Sequence, residues 1–258
     1  MSDEHETSPG DTSPSRRSSV VARRSSTQMS SPYTEEYYAE HGLEEDRIAL
    51  WFYARLLRRL RPAGGRLLDF GCGTGHLLRR LSSHFEAYGY DASAQVRNHC
   101  RMTAPDVIVV EEWESFADDT FDVIVSLHTL EHLQRPTPVV AALARRLRSG
   151  GLFLFVVPNP GGLGRRLKRD RWFAYRDSTH CSLLSRGEWV MTARRAGLKV
   201  EWVRGDGMWD PPYVRLLPES LQRVLFGAPA ALQLISPARR PFLPSVLGEC
   251  LIVAATRP

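Results

Sequence analysis

Leu67-Leu68-Asp69-Phe70-Gly71-Cys72-Gly73-Thr74-Gly75 is the stretch whose reading decides the fold. A short apolar run closes on an acid, Asp69, and three glycines then alternate with other residues. Leu77, Leu78 and Leu81 follow at helical spacing. Glycines enter positive φ at little cost and carry no Cβ, so the backbone of such a turn can pass close beneath a ligand. The helix beyond it directs its free N–H groups into the same space. A strand, a glycine turn and a helix in this order mark a nucleotide-binding turn.

Two readings of that turn compete. A dinucleotide site prefers Gly-x-Gly-x-x-Gly with a pyrophosphate on the helix N-terminus. Here the spacing is Gly-x-Gly-x-Gly, and Asp69 lies two residues before the first glycine. A carboxylate there repels a pyrophosphate but suits an ammonium, which S-adenosylmethionine carries together with a ribose and no phosphate. Asp91 closes the next apolar stretch, about 20 residues beyond the first glycine, the separation of an acid that binds a ribose hydroxyl pair. Its plainer alternative is a helix N-cap formed with Ser93. The run from Leu68 to Gly75 resembles motif I of class I S-adenosylmethionine-dependent methyltransferases. "FDVI" from Phe121, "H-x-L-E-H-L" from His128, "LRSGGLFLFVVPNP" from Leu147 and "DSTHCSLLS" from Asp177 resemble the ubiquinone-biosynthesis O-methyltransferase type. The resemblance covers about residues 33 to 204 and implies S-adenosylmethionine as cofactor.

Working outward, strand-like runs recur at Leu67–Phe70, Ala87–Tyr90, Val107–Val110, Phe121–Ser126, Leu152–Val157, Leu198–Val203 and Glu249–Ala255. Helical patterns fall at Leu43–Leu60, Ser93–Met102, Pro138–Leu147 and Ser185–Ala196. This alternation predicts an α/β, Rossmann-like, doubly wound seven-stranded sheet with helices on both faces and the ligand at the strands' C-terminal ends. The resemblance makes the sheet mostly parallel with the last strand antiparallel. Residues 1–31, rich in Ser, Thr, Pro and Arg, cannot bury enough apolar surface to offset ordering and are expected as a disordered tail. Residues 32–258 then form the methyltransferase domain, opened by the segment Tyr33–His41. Residues 206–246, a Pro-interrupted and apolar-rich insert between the last two strands, carry two predicted short helices, Val214–Phe226 and Pro229–Ile235. A connection this long often serves as a lid or binding element.

The bulk numbers exclude several classes. Of 258 residues, 43% are hydrophobic and 24% charged, as in ordinary globular proteins. The formal charge of +5 comes largely from tail and helix-face arginines, so no nucleic-acid partner is expected. Cys72, Cys100, Cys181 and Cys250 form no C-x-x-C pair, which argues against a zinc site or a disulfide framework and for a reducing cytoplasm. No apolar run reaches membrane-spanning length, and no h-region follows the arginine pairs of the tail. Peripheral membrane contact through 206–246 and the oligomeric state stay open.

Methyl transfer from a sulfonium requires in-line placement of the acceptor and, for a hydroxyl acceptor, removal of its proton. His132, His128 and His180 are the candidate bases. If helical, His128, Glu131 and His132 would share a face and could instead hold a divalent cation, or serve structure alone. The resemblance includes a Glu-x-x-Glu-His group, of which His128 replaces the first Glu, and no metal ligands are assigned. The cofactor-binding set is Asp69, Phe70, Gly71, Cys72, Gly73, Gly75, Asp91, Ala92, Glu112, Trp113, Ser126 and Leu127. Within it, Glu112 and Trp113 stand where the family contacts adenine, and Trp113 either stacks on the base or packs. Asp210-Pro211-Pro212-Tyr213 matches the signature of adenine-N6 DNA methyltransferases, but no buried strand precedes it, and it is read as a turn. The expectation is an S-adenosylmethionine-dependent methyltransferase acting on a small-molecule acceptor, by O-methylation with histidine-assisted deprotonation. The alternatives are a non-catalytic cofactor-binding regulator and a nicotinamide-dependent oxidoreductase.

Overall fold

The computed structural model describes residues 47–258. The expected tail, the segment Tyr33–His41 and the first residues of the predicted helix at Leu43–Leu60 lie outside the described residues. Helix α1 spans Ile48–Leu60 and buries Phe52, Tyr53, Leu56 and Leu57 on one face. Pro62, which cannot donate a backbone hydrogen bond, stands just past its end. Seven strands follow: β1 (Arg66–Phe70), β2 (Glu86–Tyr90), β3 (Ile108–Val110), β4 (Phe121–Leu127), β5 (Leu147–Pro158), β6 (Lys199–Gly205) and β7 (Cys250–Thr256).

The sheet order is β3-β2-β1-β4-β5-β7-β6. Strands β1 to β5 pair in parallel, and β7 runs antiparallel between β5 and β6. Strand order reverses between β1 and β4, which opens a crevice at their C-terminal ends where a ligand can enter. One face is covered by α1, α2 (His76–Leu81) and α3 (Ala94–Thr103), which meet Leu67, Val125 and Leu154. The other lies under α4 (Pro136–Arg146) and α7 (Arg186–Arg195), against Phe121, Ile124 and Phe155. Apolar residues on both sides of the central strands are what two covered faces demand.

Local chemistry sets the helix starts. Ser185 and Glu188 form a reciprocal capping box at α7. Ser93 Oγ accepts from Val96 N at the start of α3. Between β5 and α7 lie two short helices, α5 (Leu163–Lys168) and α6 (Phe173–Arg176).

The insert departs from expectation. In place of two short helices it holds one, α8, from Glu219 to Ile235 with Pro229 inside. Proline removes one hydrogen-bond donor and crowds the preceding turn, yet the helix continues because Gln222 and Gln233 bond its inner face to neighbouring backbone. Val214–Leu217 is not helical, and Pro218 stands at the N-cap position. The Asp210–Tyr213 segment is an irregular turn after β6, with the Asp210 N–H donating to the Tyr213 hydroxyl.

Candidate active site

The crevice has two halves. The first is the turn between β1 and α2. Gly71, Gly73 and Gly75 all have positive φ, at 84°, 51° and 87°. Gly71 N and Cys72 N both donate to Tyr90 O, at 2.8 and 2.9 Å, and hold the turn against the end of β2. A Cβ on Gly71 would lie 2.0 Å from Thr129 Oγ1, and one on Gly75 would lie 2.6 Å from Cys100 Sγ. Phe70 ends β1, and Ser126 Oγ donates to its carbonyl at 2.9 Å, which ties β4 to β1 at the crevice. Leu127, partly buried, ends β4.

Two acids flank this turn. Asp69 is buried inside β1, and its Oδ1 has no hydrogen-bond partner among the described residues. Burial, with Asp91 adding to it, pushes its carboxyl up to about 8. A buried carboxyl with a partnerless oxygen is costly alone and fits a ligand that brings a cation. Asp91 follows β2; its Oδ2 accepts from Gly73 N at 3.1 Å and its Oδ1 from Ser93 N at 3.0 Å. The helix cap weighed for Asp91 is supplied by Ser93. These residues fit an amino-acid ammonium and a ribose, two polar parts of S-adenosylmethionine. Ala92 and Glu112 are exposed beside them. Trp113 is 5% exposed: its ring meets Phe70 edge-on at 5.3 Å, and the Arg146 guanidinium lies 4.9 Å from the ring centroid. Of the two roles open to Trp113, the ring is occupied in packing.

The second half follows β4. His128 has φ 52° and donates its backbone N–H to Val156 O. The next residues form a single 3-10 turn, Leu130–His132, rather than an α-helix. Even so, His128 Nδ1 lies 3.4 Å from Glu131 Oε1. Glu131 is fully buried, and neither carboxylate oxygen has a hydrogen-bond partner among the described residues. His132 Nδ1 meets Thr179 Oγ1 at 2.8 Å, and His180 Nδ1 meets Ala174 O at 2.8 Å. Their rings lie 4.6 Å apart. Burial holds the His132 imidazole below its usual range; His180 acts in the same sense, and Glu131 opposes it. Ligand atoms of Glu131, His132 and His180 all fall within 4.8 Å of one another, a spacing that can hold a cation. The structure therefore brings all three predicted histidines to one rim, with Glu131 between them.

Several polar residues at this rim were not foreseen. His128 Nε2 lies 3.9 Å from Cys250 Sγ, and the Phe173 ring stands edge-on to His128. Asp206 Oδ1 accepts from Cys250 N at 2.9 Å, while the Tyr53 hydroxyl donates to its Oδ2 at 3.3 Å. Burial pushes the Asp206 carboxyl up to about 7. Lys168 Nζ bonds Asp210 Oδ2 at 2.5 Å and lies 3.4 Å from Glu249 Oε1. Asp206, just after β6, and Glu249, just before β7, carried a signal that went unread, an acid at a strand end on the rim; Tyr53 and Lys168 carried none.

Fold and site define a methyl-transfer enzyme of the class I, S-adenosylmethionine-dependent kind. The sequence model of a family described as a methyltransferase domain matches residues 43–203, and the chain belongs to that family. The nicotinamide alternative falls away with this assignment. A 27-O-demethylrifamycin SV methyltransferase of Amycolatopsis mediterranei is 30% identical over 194 residues, which cover 67% of this chain and 70% of the relative. A ubiquinone biosynthesis O-methyltransferase of Xanthomonas axonopodis pv. citri is 33% identical over 108 residues, 37% of this chain. That match spans 44% of the relative, less than half its length. A methyltransferase structure from Archaeoglobus fulgidus superposes with a TM-score of 0.57 at 19% identity, covering 85% of this chain and all of that one. One from Mesorhizobium loti gives 0.54 at 22%, covering 82% and 99%. At these identities the structures testify to the fold. No helix among the described residues is long and apolar enough to cross a membrane.

Proposed function

We propose that the enzyme methylates a hydroxyl of a small-molecule acceptor, with His128 as the base that takes its proton. The supporting observation is the buried Glu131 carboxylate set 3.4 Å behind His128 Nδ1. A carboxylate there draws the ring proton to Nδ1 and leaves Nε2, 3.9 Å from Cys250 Sγ, as the basic nitrogen of the ring. S-adenosylmethionine, when bound, supplies a methyl group already activated on a sulfonium. The chain's own work is placement and proton removal. Asp69 receives the ammonium, Asp91 the ribose, and the turn Gly71–Gly75 lets the backbone approach. His132 and His180 position the rim through Thr179 and Ala174. A reducing cytoplasm fits the four free cysteines.

The test pairs binding with turnover. S-adenosylhomocysteine is titrated by calorimetry, then labelled methyl transfer is measured on a panel of hydroxylated acceptors. His128→Gln should keep the binding and lose roughly a hundredfold or more in turnover, whereas Asp91→Ala should lose the binding. Undiminished turnover in His128→Gln would remove His128 from the chemistry. Binding without turnover on any acceptor would favour the regulator. A second reading rests on the spacing of Glu131, His132 and His180: a divalent cation held there would orient the acceptor oxygen. Loss of bound metal and of turnover together after chelation, both restored by added cation, would favour it.

A further inference from the structure

Helix α8 is built inside out. Its inward positions are Gln222, Ala230 and Gln233. Its outward positions are Leu221, Val224, Leu225, Leu232 and Ile235, all exposed. These recur at the three- and four-residue steps of one helical stripe. The glutamines explain the inner face without explaining the outer one. Gln222 bonds the backbone of Tyr213, Val214 and Leu217, and Gln233 bonds that of Gly205, Asp206 and Leu243. Phe226 packs edge-on to Tyr213 and Leu234 against the core, so the inner face has its own anchors and the aliphatic stripe is left in water; an apolar patch this continuous marks a docking surface.

Charge says what docks. Between Arg215 and Leu247 the chain carries Arg215, Arg223, Arg239 and Arg240 against a single acid, Glu219. Arg223 is paired with Glu219 at 2.6 Å and Arg240 lies near Glu201 of β6, so the excess positive charge of the insert rests chiefly on Arg215 and Arg239, at the two ends of the stripe. The stripe is aliphatic throughout and holds no Tyr, Trp, Phe or Met, residues in which protein interfaces are enriched alongside Arg. At 17 residues α8 is about 25 Å long, short of a bilayer's hydrocarbon core.

We propose that the outer face of α8 lies in the headgroup region of an anionic lipid membrane, with the flanking arginines on lipid phosphates. The insert leaves the sheet after Gly205 and rejoins it at Cys250; Gln233 ties α8 to Gly205 and Asp206 at the rim, while Arg239 and Arg240 lie beside Leu152 and Thr256 at the other end of the strands.

The test is flotation of the full chain with vesicles of phosphatidylcholine alone or with roughly a third phosphatidylglycerol added. The expected result is binding to the anionic vesicles that weakens with salt. It should fall roughly a hundredfold in a Val224→Asp/Leu232→Asp variant and roughly tenfold in Arg239→Glu/Arg240→Glu. Both variants change exposed positions and should keep the wild-type melting temperature and S-adenosylhomocysteine binding, so vesicle binding is read apart from methyl transfer. No flotation of the folded chain, or undiminished flotation of the aspartate variant, would overturn the proposal. So would a vesicle-free dimer in sedimentation velocity that Val224→Asp/Leu232→Asp dissociates, because the stripe would then belong to a second copy.

Discussion

Replacing Asp69 with Asn should stabilise the empty enzyme and weaken it as a binder. The Asp69 carboxyl rises from 3.8 to about 8 because it is buried beside Asp91. A folded-state value above the unfolded one means that the folded state holds the proton more tightly. The associated stability is present in acid and is lost as pH climbs from about 4 toward 8. At 1.36 kcal/mol per unit, the carboxyl costs the fold about 3 kcal/mol at pH 6 and about 5 kcal/mol at pH 8 as an upper limit. Asn cannot ionise, so the advantage of the variant in urea melts should widen by about 2 kcal/mol between those two pH values. An ammonium placed against Asp69 favours the carboxylate, so cofactor binding near pH 7 should release close to one proton. Calorimetry with S-adenosylhomocysteine in buffers of different ionisation enthalpy would count it. The Asn variant should release none and bind at least roughly tenfold more weakly. A variant with wild-type affinity and wild-type proton release would refute the ammonium role. One with no widening stability gap would refute the buried-acid account.

Gly71→Ala should cost about 1–3 kcal/mol from φ 84° alone, and the clash with Thr129 adds to it; a thermal melt and a cofactor titration would show both losses. Lys168→Met should cost about 3–5 kcal/mol by leaving Glu249 buried without its cation, and a Lys168→Met/Glu249→Gln double variant, which keeps an acceptor for Trp209 N and Asp210 N, should regain most of that in a denaturant melt. In NMR titrations His132 should charge only below the usual imidazole range, and Glu131→Gln should lower it further by removing the opposing carboxylate.

The glycine turn, Asp91 and the strand runs were legible because each is a local pattern: period, breaker and cap lie within a few residues of one another. Strand ends shifted by a residue or a few, most at β5, which starts at Leu147 rather than Leu152. Only the antiparallel direction of the last strand was expected, and from the resemblance alone; the pairing of β7 between β5 and β6 leaves no local mark. Helix α8 escaped for a different reason. Proline at 229 reads as a break, and only the tertiary bonds of Gln222 and Gln233 show why the helix survives it. The rim chemistry divides the same way. His128, Glu131 and His132 are neighbours in sequence, whereas Tyr53 meets Asp206 across 153 residues and Lys168 meets Glu249 across the whole insert. Contacts of that span depend on the finished sheet.

Placing β7 between β5 and β6 has a consequence for the order of assembly during synthesis. Among the described residues strand β6 pairs with β7 alone, so it waits until Cys250–Thr256 has been made. At a translation rate of about 5–20 residues per second, the roughly 50 residues from Gly205 to Thr256 take several seconds. Through that interval one side of β5 stands open and the aliphatic insert is already exposed, conditions that invite edge pairing with other chains. The glycine turn, by contrast, is complete once β4 has joined β1. On the proposed cofactor site, the nascent chain would therefore complete its cofactor half before its acceptor rim exists, and ligand supplied during translation would steady the half-finished sheet while the last strand arrives.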